Sequence, residues 1–151
     1  MAYQESRTGD ARLDALAAAI DRHFKGTQYQ LEFACGELTL IMPAEGWHER
    51  ARTLRDHPDF RFEQLIDVCG VDYSAYGCAE WETESASTTG FGRGADRGGA
   101  LATDEPGRFA SAYHLLSVTH NCRLRVRVPL DAAEPLVDSV VDLWSVANWF
   151  Y

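Results

Sequence analysis

The chain has 151 residues, the length of one ordinary domain, and is 46% apolar and 25% charged. That balance excludes global disorder, collagen-like repeats and low-complexity scaffolds. Fourteen Lys+Arg against 23 Asp+Glu leave a net charge of −9, which argues against nucleic acid or anionic lipid as a direct partner, because both are held by clustered cations.

Residues 1–9 are polar, lack the apolar core of a secretion signal and read as a flexible tail; Glu5 and Asp10 also count against a mitochondrial presequence. From Ala11 the apolar positions Leu13, Leu16, Ala17, Ile20 and Phe24 form one helical stripe, closed by Gly26. The period then changes to two. Tyr29, Leu31 and Phe33, then Leu38, Leu40 and Met42, alternate with polar residues around Cys35-Gly36, which predicts a hairpin. Pro43 suits the first position of a second helix, with Trp47, Ala51 and Leu54 on its apolar face and an end near His57-Pro58.

A strand is expected from Arg61 to Cys69, running into a turn at Gly70. Residues 77–107 hold seven of the twelve glycines, six Ser/Thr and six acids without apolar periodicity, the composition of a flexible insertion dispensable for folding. Phe109–Val118 and Cys122–Val128 read as two further strands joined at His120-Asn121, the second alternating Arg123, Arg125 and Arg127 with Leu124, Val126 and Val128. Asp131 and Glu134 read as a capping box opening a third helix with Leu136, Val137, Val140, Val141 and Trp144 on its inner face. The order α-β-β-α-β-β-β-α predicts an α+β two-layer sandwich: a mixed or antiparallel sheet of about five strands, helices mainly on one face, and a single domain over 10–151.

The residues offer little obvious chemistry. Cys35, Cys69, Cys78 and Cys122 show no C-x-x-C pair and no His at ligand spacing, so no metal site is expected. Gly90-Phe91-Gly92-Arg93-Gly94 lacks the preceding strand and following helix of a phosphate loop. Trp47-His48-Glu49 lies on a helix, where adjacent residues diverge and cannot pair on a metal. Asp67, Asp72 and His114 are acid–base candidates on or beside strands, but a lone strand histidine is more often a packing or interface residue. The Arg123, Arg125 and Arg127 row reads either as a solvated face paired with acids or as a docking face. Residues 143–151, LWSVANWFY, carry no charge and two Trp. Either that segment packs inside a partner or polypeptide is missing after Tyr151, with Asn148, Trp149, Phe150 and Tyr151 as candidate interface residues.

Taken in order, Phe62-Glu63-Gln64-Leu65-Ile66-Asp67-Val68-Cys69-Gly70-Val71-Asp72-Tyr73, Arg108-Phe109 through Tyr113-His114-Leu115-Leu116-Ser117, Arg123-Leu124-Arg125-Val126-Arg127-Val128, Val141-Asp142-Leu143-Trp144 and Ala147-Asn148-Trp149-Phe150 resemble the C-type subunit family of the proton-translocating NADH–quinone oxidoreductase, respiratory complex I. The resemblance runs over roughly residues 10 to 150. One departure stands out: the family continues its Ala-Asn-Trp-aromatic run with Glu-Arg-Glu and an Asp-x-Phe-Gly motif, whereas Tyr151 occupies the place of the first Glu, so the chain resembles a truncated form. The resemblance implies a non-catalytic structural subunit of the peripheral arm, on the cytoplasmic side of a bacterial inner membrane and bound to the membrane only through the complex. It further implies no flavin, iron–sulfur cluster or quinone in this chain, these belonging to partner subunits, and the D-type subunit as nearest partner. Electron transfer from NADH to quinone, coupled to proton translocation, would belong to the assembly. The alternative reading is a stand-alone soluble enzyme or an adaptor domain of unknown substrate.

Overall fold

The Asp10 carboxylate accepts the backbone N–H of Arg12 (2.9 Å) and so caps α1, Ala11–His23, satisfying one of the donors a helix leaves open at its start. Leu13, Leu16, Ala17 and Ile20 are buried along the expected stripe. The computed structural model describes residues 9–74 and 107–151. Residues 1–8 of the expected tail, the expected insertion up to residue 106, the Gly90–Gly94 segment and Cys78 lie outside the described residues.

Strands β1 (Gln30–Ala34) and β2 (Glu37–Ile41) form the predicted antiparallel hairpin. Its two loop residues, Cys35 (φ 54°) and Gly36 (φ 77°), both take the positive φ that a type I′ turn requires. Helix α2 spans Trp47–Asp56, so Pro43 lies ahead of the helix rather than at its first position. The physical reason is Gly46, whose left-handed conformation (φ 67°) sets the entry point. Arg50 Nη1 holds the lead-in by donating to the carbonyls of Pro43 (3.0 Å) and Glu45 (2.5 Å). The helix stops before His57-Pro58 as expected, because the residue before proline avoids the helical region.

Strand β3 runs Gln64–Asp72, β4 Phe109–Ser117 and β5 Cys122–Leu130. Gly70 does not end β3: it pairs with Ser111, and the ladder continues to Asp72 opposite Phe109. The sheet order is β1-β2-β5-β4-β3, antiparallel except for the parallel β2–β5 pair, which makes it the mixed five-stranded sheet expected. Pro129 is accommodated because the β2–β5 pairing ends at Ile41 opposite Arg127, leaving the proline clear of that ladder.

A β-bulge interrupts β3 between Leu65 and Asp67. Strand side chains alternate, so without it Leu65, Asp67 and Cys69 would share one face. The extra residue resets the alternation: Leu65 and Val68 are both buried, and Asp67 and Cys69 turn to the opposite side.

The helix from Asp131 to Trp144 does not form; after β5 the chain crosses as an irregular strap and is helical only over α3, Ala147–Phe150. Local hydrogen bonds displace the helix. Asp131 Oδ1 accepts the Ala133 N–H (2.8 Å), an Asx turn, and Ser139 Oγ accepts the Val141 N–H (3.4 Å). Pro135 restricts Glu134 in addition, and Val137, Val140 and Val141 are stiff β-branched residues with weak helical preference. The strap nevertheless buries Val140, Leu143, Trp144 and Ala147. These join α1, α2 and the inner face of the sheet in one core around Trp47, Phe60, Phe62, Leu40, Val126 and Leu115.

Candidate functional site

The ladders align a transverse row on the face of the sheet opposite the core. Glu32, Thr39, Arg125, His114 and Asp67 are successive partners across all five strands, and Gln30, Ile41, Arg127, Ala112 and Cys69 form the next row. This face carries the arginine row singled out in the sequence. Two of its members are paired with acids: Arg125 Nη2 meets Glu37 Oε2 at 2.5 Å, and Arg127 Nη2 lies 3.8 Å from Glu32 Oε1. Arg123 is exposed and lines an open cleft of about 460 Å³ with Asp10, Arg12, Leu13, Glu37 and Leu116.

Of the acid–base candidates, Asp72 serves a structural role. Arg108 grips it as a fork, Nε to Oδ1 and Nη2 to Oδ2, both at 3.0 Å, while the Tyr73 N–H donates to the Arg108 carbonyl (2.8 Å). The latch joins the ends of β3 and β4, and the Arg108 bond holds the Asp72 carboxyl well below the usual carboxylate range. Such a group is a poor proton acceptor at neutral pH. His48 Nε2 lies 2.9 Å from Asp142, tying α2 to the strap, and its Nδ1 lies 3.7 Å from Glu49.

Asp67 and His114 are brought together, as directly opposed partners, and Cys69 joins them: one ligand-type atom from each lies within 4.8 Å of the other two. All three are half-buried. Burial, with the Asp67 charge second, pushes the Cys69 thiol upward. Local spacing gave no sign of this grouping, because it depends on a cross-strand register and on the bulge. A second grouping, His23, His57 and Asp59, joins the C-terminus of α1 to the turn after α2. There His23 Nε2 is 2.9 Å from Asp59 Oδ2, and Arg22 reaches the same oxygen at 3.1 Å.

At the C-terminal end Trp144 is buried and donates its indole N–H to the Phe62 carbonyl (3.0 Å). Trp149 is 86% exposed and Tyr151 61% exposed, although the Tyr151 hydroxyl accepts the Val140 N–H (3.2 Å). Phe150 packs partly on the core, and Asn148 is exposed. The aromatic end expected to act as one unit is therefore divided, with Trp149 outward and Phe150 inward.

These features define an α+β two-layer domain with helices and strap on one face of a mixed sheet and a charged row on the other. The model of the respiratory-chain NADH dehydrogenase 30 Kd subunit family matches residues 40–150, and the chain belongs to that family. The C-type subunit of the NADH-quinone oxidoreductase of Cupriavidus pinatubonensis is 45% identical over 141 residues, covering 93% of this chain and 59% of its own length. The protein of the same name from Ralstonia nicotianae is 42% identical over 140 residues, with 92% and 58% covered. That of Legionella pneumophila is 46% identical over 123 residues, with 80% and 54% covered. The chain thus spans between half and two thirds of the length of these relatives. Among solved structures, a trypsin-resistant fragment (1-134) of Nqo5 superposes with a TM-score of 0.59 and 25% identity, covering 92% of this chain and 86% of that one.

Proposed function

We propose that this chain is a non-catalytic structural component of the peripheral arm of respiratory complex I, supporting electron transfer from NADH to quinone coupled to proton translocation. The observation that carries the reading is the family match over residues 40–150, which include β3, β4, β5 and the strap. The D-type subunit is its nearest partner. Arg123, Arg125, Arg127, Asn148, Trp149, Phe150 and Tyr151 form the docking residues. Exposed Trp149 and the cleft beside Arg123 support that assignment, since aromatic and arginine anchors dominate interface energetics. Flavin, iron–sulfur clusters and quinone reside in partner subunits. No helix among the described residues is long and apolar enough to cross a membrane; attachment through the complex to the cytoplasmic side of a bacterial inner membrane completes the proposal.

Co-expression of the tagged full chain with a D-type subunit tests it. Stoichiometric co-elution is expected, with loss on the triple change of Arg123, Arg125 and Arg127 to Ser. Failure to co-elute, or NADH oxidation and a flavin or iron spectrum in the chain purified alone, would overturn it.

A further inference from the structure

The half-buried trio on the outer face of β3 and β4 combines a soft sulfur donor, an imidazole and a carboxylate, the three side-chain types that bind zinc. Its position follows from the fold. Antiparallel pairing sets His114 directly opposite Asp67, and Cys69 lies two residues along β3 on the same face. Opposite Cys69 stands Ala112, whose small side chain leaves room for the imidazole to lean along the strand. The bulge at Ile66 is the feature that turns Asp67 and Cys69 toward His114 rather than into the core.

We propose that Asp67, Cys69 and His114 form a binding site for a thiophilic divalent cation, zinc foremost. Around a tetrahedral zinc with bonds of about 2.0–2.3 Å, neighbouring ligand atoms stand roughly 3.3–3.6 Å apart. The present upper limit of 4.8 Å closes to that range by side-chain rotation of the order of an ångström. Cys69 coordinates as the thiolate, its proton leaving to water, and the fourth position opens to the sheet face.

The electrostatic surroundings allow a dication. The nearest guanidinium by register, that of Arg125 opposite His114, is drawn to the other side by Glu37 and Thr39 on β2. Apart from the backbone ladder, no side-chain hydrogen bond or ion pair to another described residue engages Asp67, Cys69 or His114. The grouping at His23, His57 and Asp59 differs on both counts, since Arg22 and His23 already bind the carboxylate there. Hard cations are disfavoured at the proposed site, because magnesium and calcium require oxygen ligands.

The test titrates cobalt(II) and then zinc alone into the metal-free, reduced full chain. One equivalent of cobalt(II) should give the intense sulfur-to-metal charge-transfer absorption of a thiolate complex, and zinc should displace it. Cys69→Ser should abolish the band, while Cys35→Ser and Cys78→Ser leave it unchanged. His114→Gln and Asp67→Asn should each weaken zinc binding by more than about tenfold. Zinc should also raise the melting temperature of the parent but not of Cys69→Ser, with circular dichroism confirming that each variant folds without metal. Absence of the band, its persistence in Cys69→Ser, or equal zinc affinity in His114→Gln would each overturn the proposal.

Discussion

Trp144 and Phe62, 82 positions apart in sequence, are joined by a buried hydrogen bond from the indole Nε1–H of one to the backbone carbonyl of the other (3.0 Å). The bond anchors the irregular strap where no regular element reaches, beside the β3 entry that also receives the Leu54 carbonyl on the Phe62 N–H (3.0 Å). Replacing Trp144 by Phe retains an aromatic ring but leaves the Phe62 carbonyl unpaired, so urea denaturation should show a loss of about 1–2 kcal/mol. Trp144→Ala adds a cavity and should cost about 3–5 kcal/mol. No measurable loss in Trp144→Phe, with the full loss confined to Trp144→Ala, would show that the hydrogen bond contributes nothing beyond packing.

Tyr113 presents the opposite case. Its ring centroid lies 4.6 Å from that of Trp47 in the centre of the core, and neither the Tyr113 hydroxyl nor the Trp47 Nε1–H makes a well-formed hydrogen bond among the described residues. Burial pushes the phenol up, and Ser111 and the Trp47 indole stand near enough to offset only part of that. A buried polar group without a partner costs more than an apolar one of the same shape. Tyr113→Phe should therefore raise stability by about 1 kcal/mol and shift the thermal midpoint upward. A lower midpoint would show that the hydroxyl is satisfied after all, with Ser111 the neighbour able to accept from it.

Glu63 ties the β4–β5 turn to the start of β3: its carboxylate accepts from the Val118 N–H (2.9 Å) and from the Thr119 hydroxyl. The Thr119 bond, with backbone donors behind it, lowers the Glu63 carboxyl from 4.5 to about 2. A depressed carboxyl binds its proton more readily in the unfolded chain. Its contribution is thus complete above the ordinary value of 4.5 and is lost as pH falls from there toward about 2. Asp72, lowered by Arg108, adds to the same acid limb. Melting curves recorded between these two pH values should fall less steeply for Glu63→Gln than for the parent. An unchanged slope would remove Glu63 as a source of acid sensitivity.

Periodicity made much of this fold legible. The stripe from Leu13 to Phe24, the alternation around Cys35-Gly36 and the Arg123–Val128 alternation each report one local period, and each formed the expected element. The failures share a different cause. The 131–144 segment carries helix-like spacing, yet the Asp131 and Ser139 side chains compete for its backbone donors. Gly70 reads as a breaker but is held in the ladder by Ser111. The company kept by Cys69 was hidden for a third reason: one bulge reverses which face a residue occupies, and no local period records a bulge.

The divided C-terminus separates two effects that a single aromatic cluster would confound. Trp149 is 86% exposed, so Trp149→Ser removes little burial and should leave the unfolding free energy within about 0.5 kcal/mol of the parent. If the residue docks on a partner, the same change should weaken co-elution with the D-type subunit by at least tenfold, about 1.4 kcal/mol or more, as loss of an aromatic anchor does. Phe150 packs partly against the core, and Phe150→Ser should lower stability by about 1–3 kcal/mol through lost burial. Tyr151→Phe should act differently again. It removes the oxygen that accepts the Val140 N–H (3.2 Å) while keeping the ring, so it should cost about 1 kcal/mol of stability and leave partner binding intact. Thermal unfolding and co-elution measured on all three variants separate folding from docking. Destabilisation by Trp149→Ser with unchanged co-elution would assign that side chain to the domain itself and remove it from the interface.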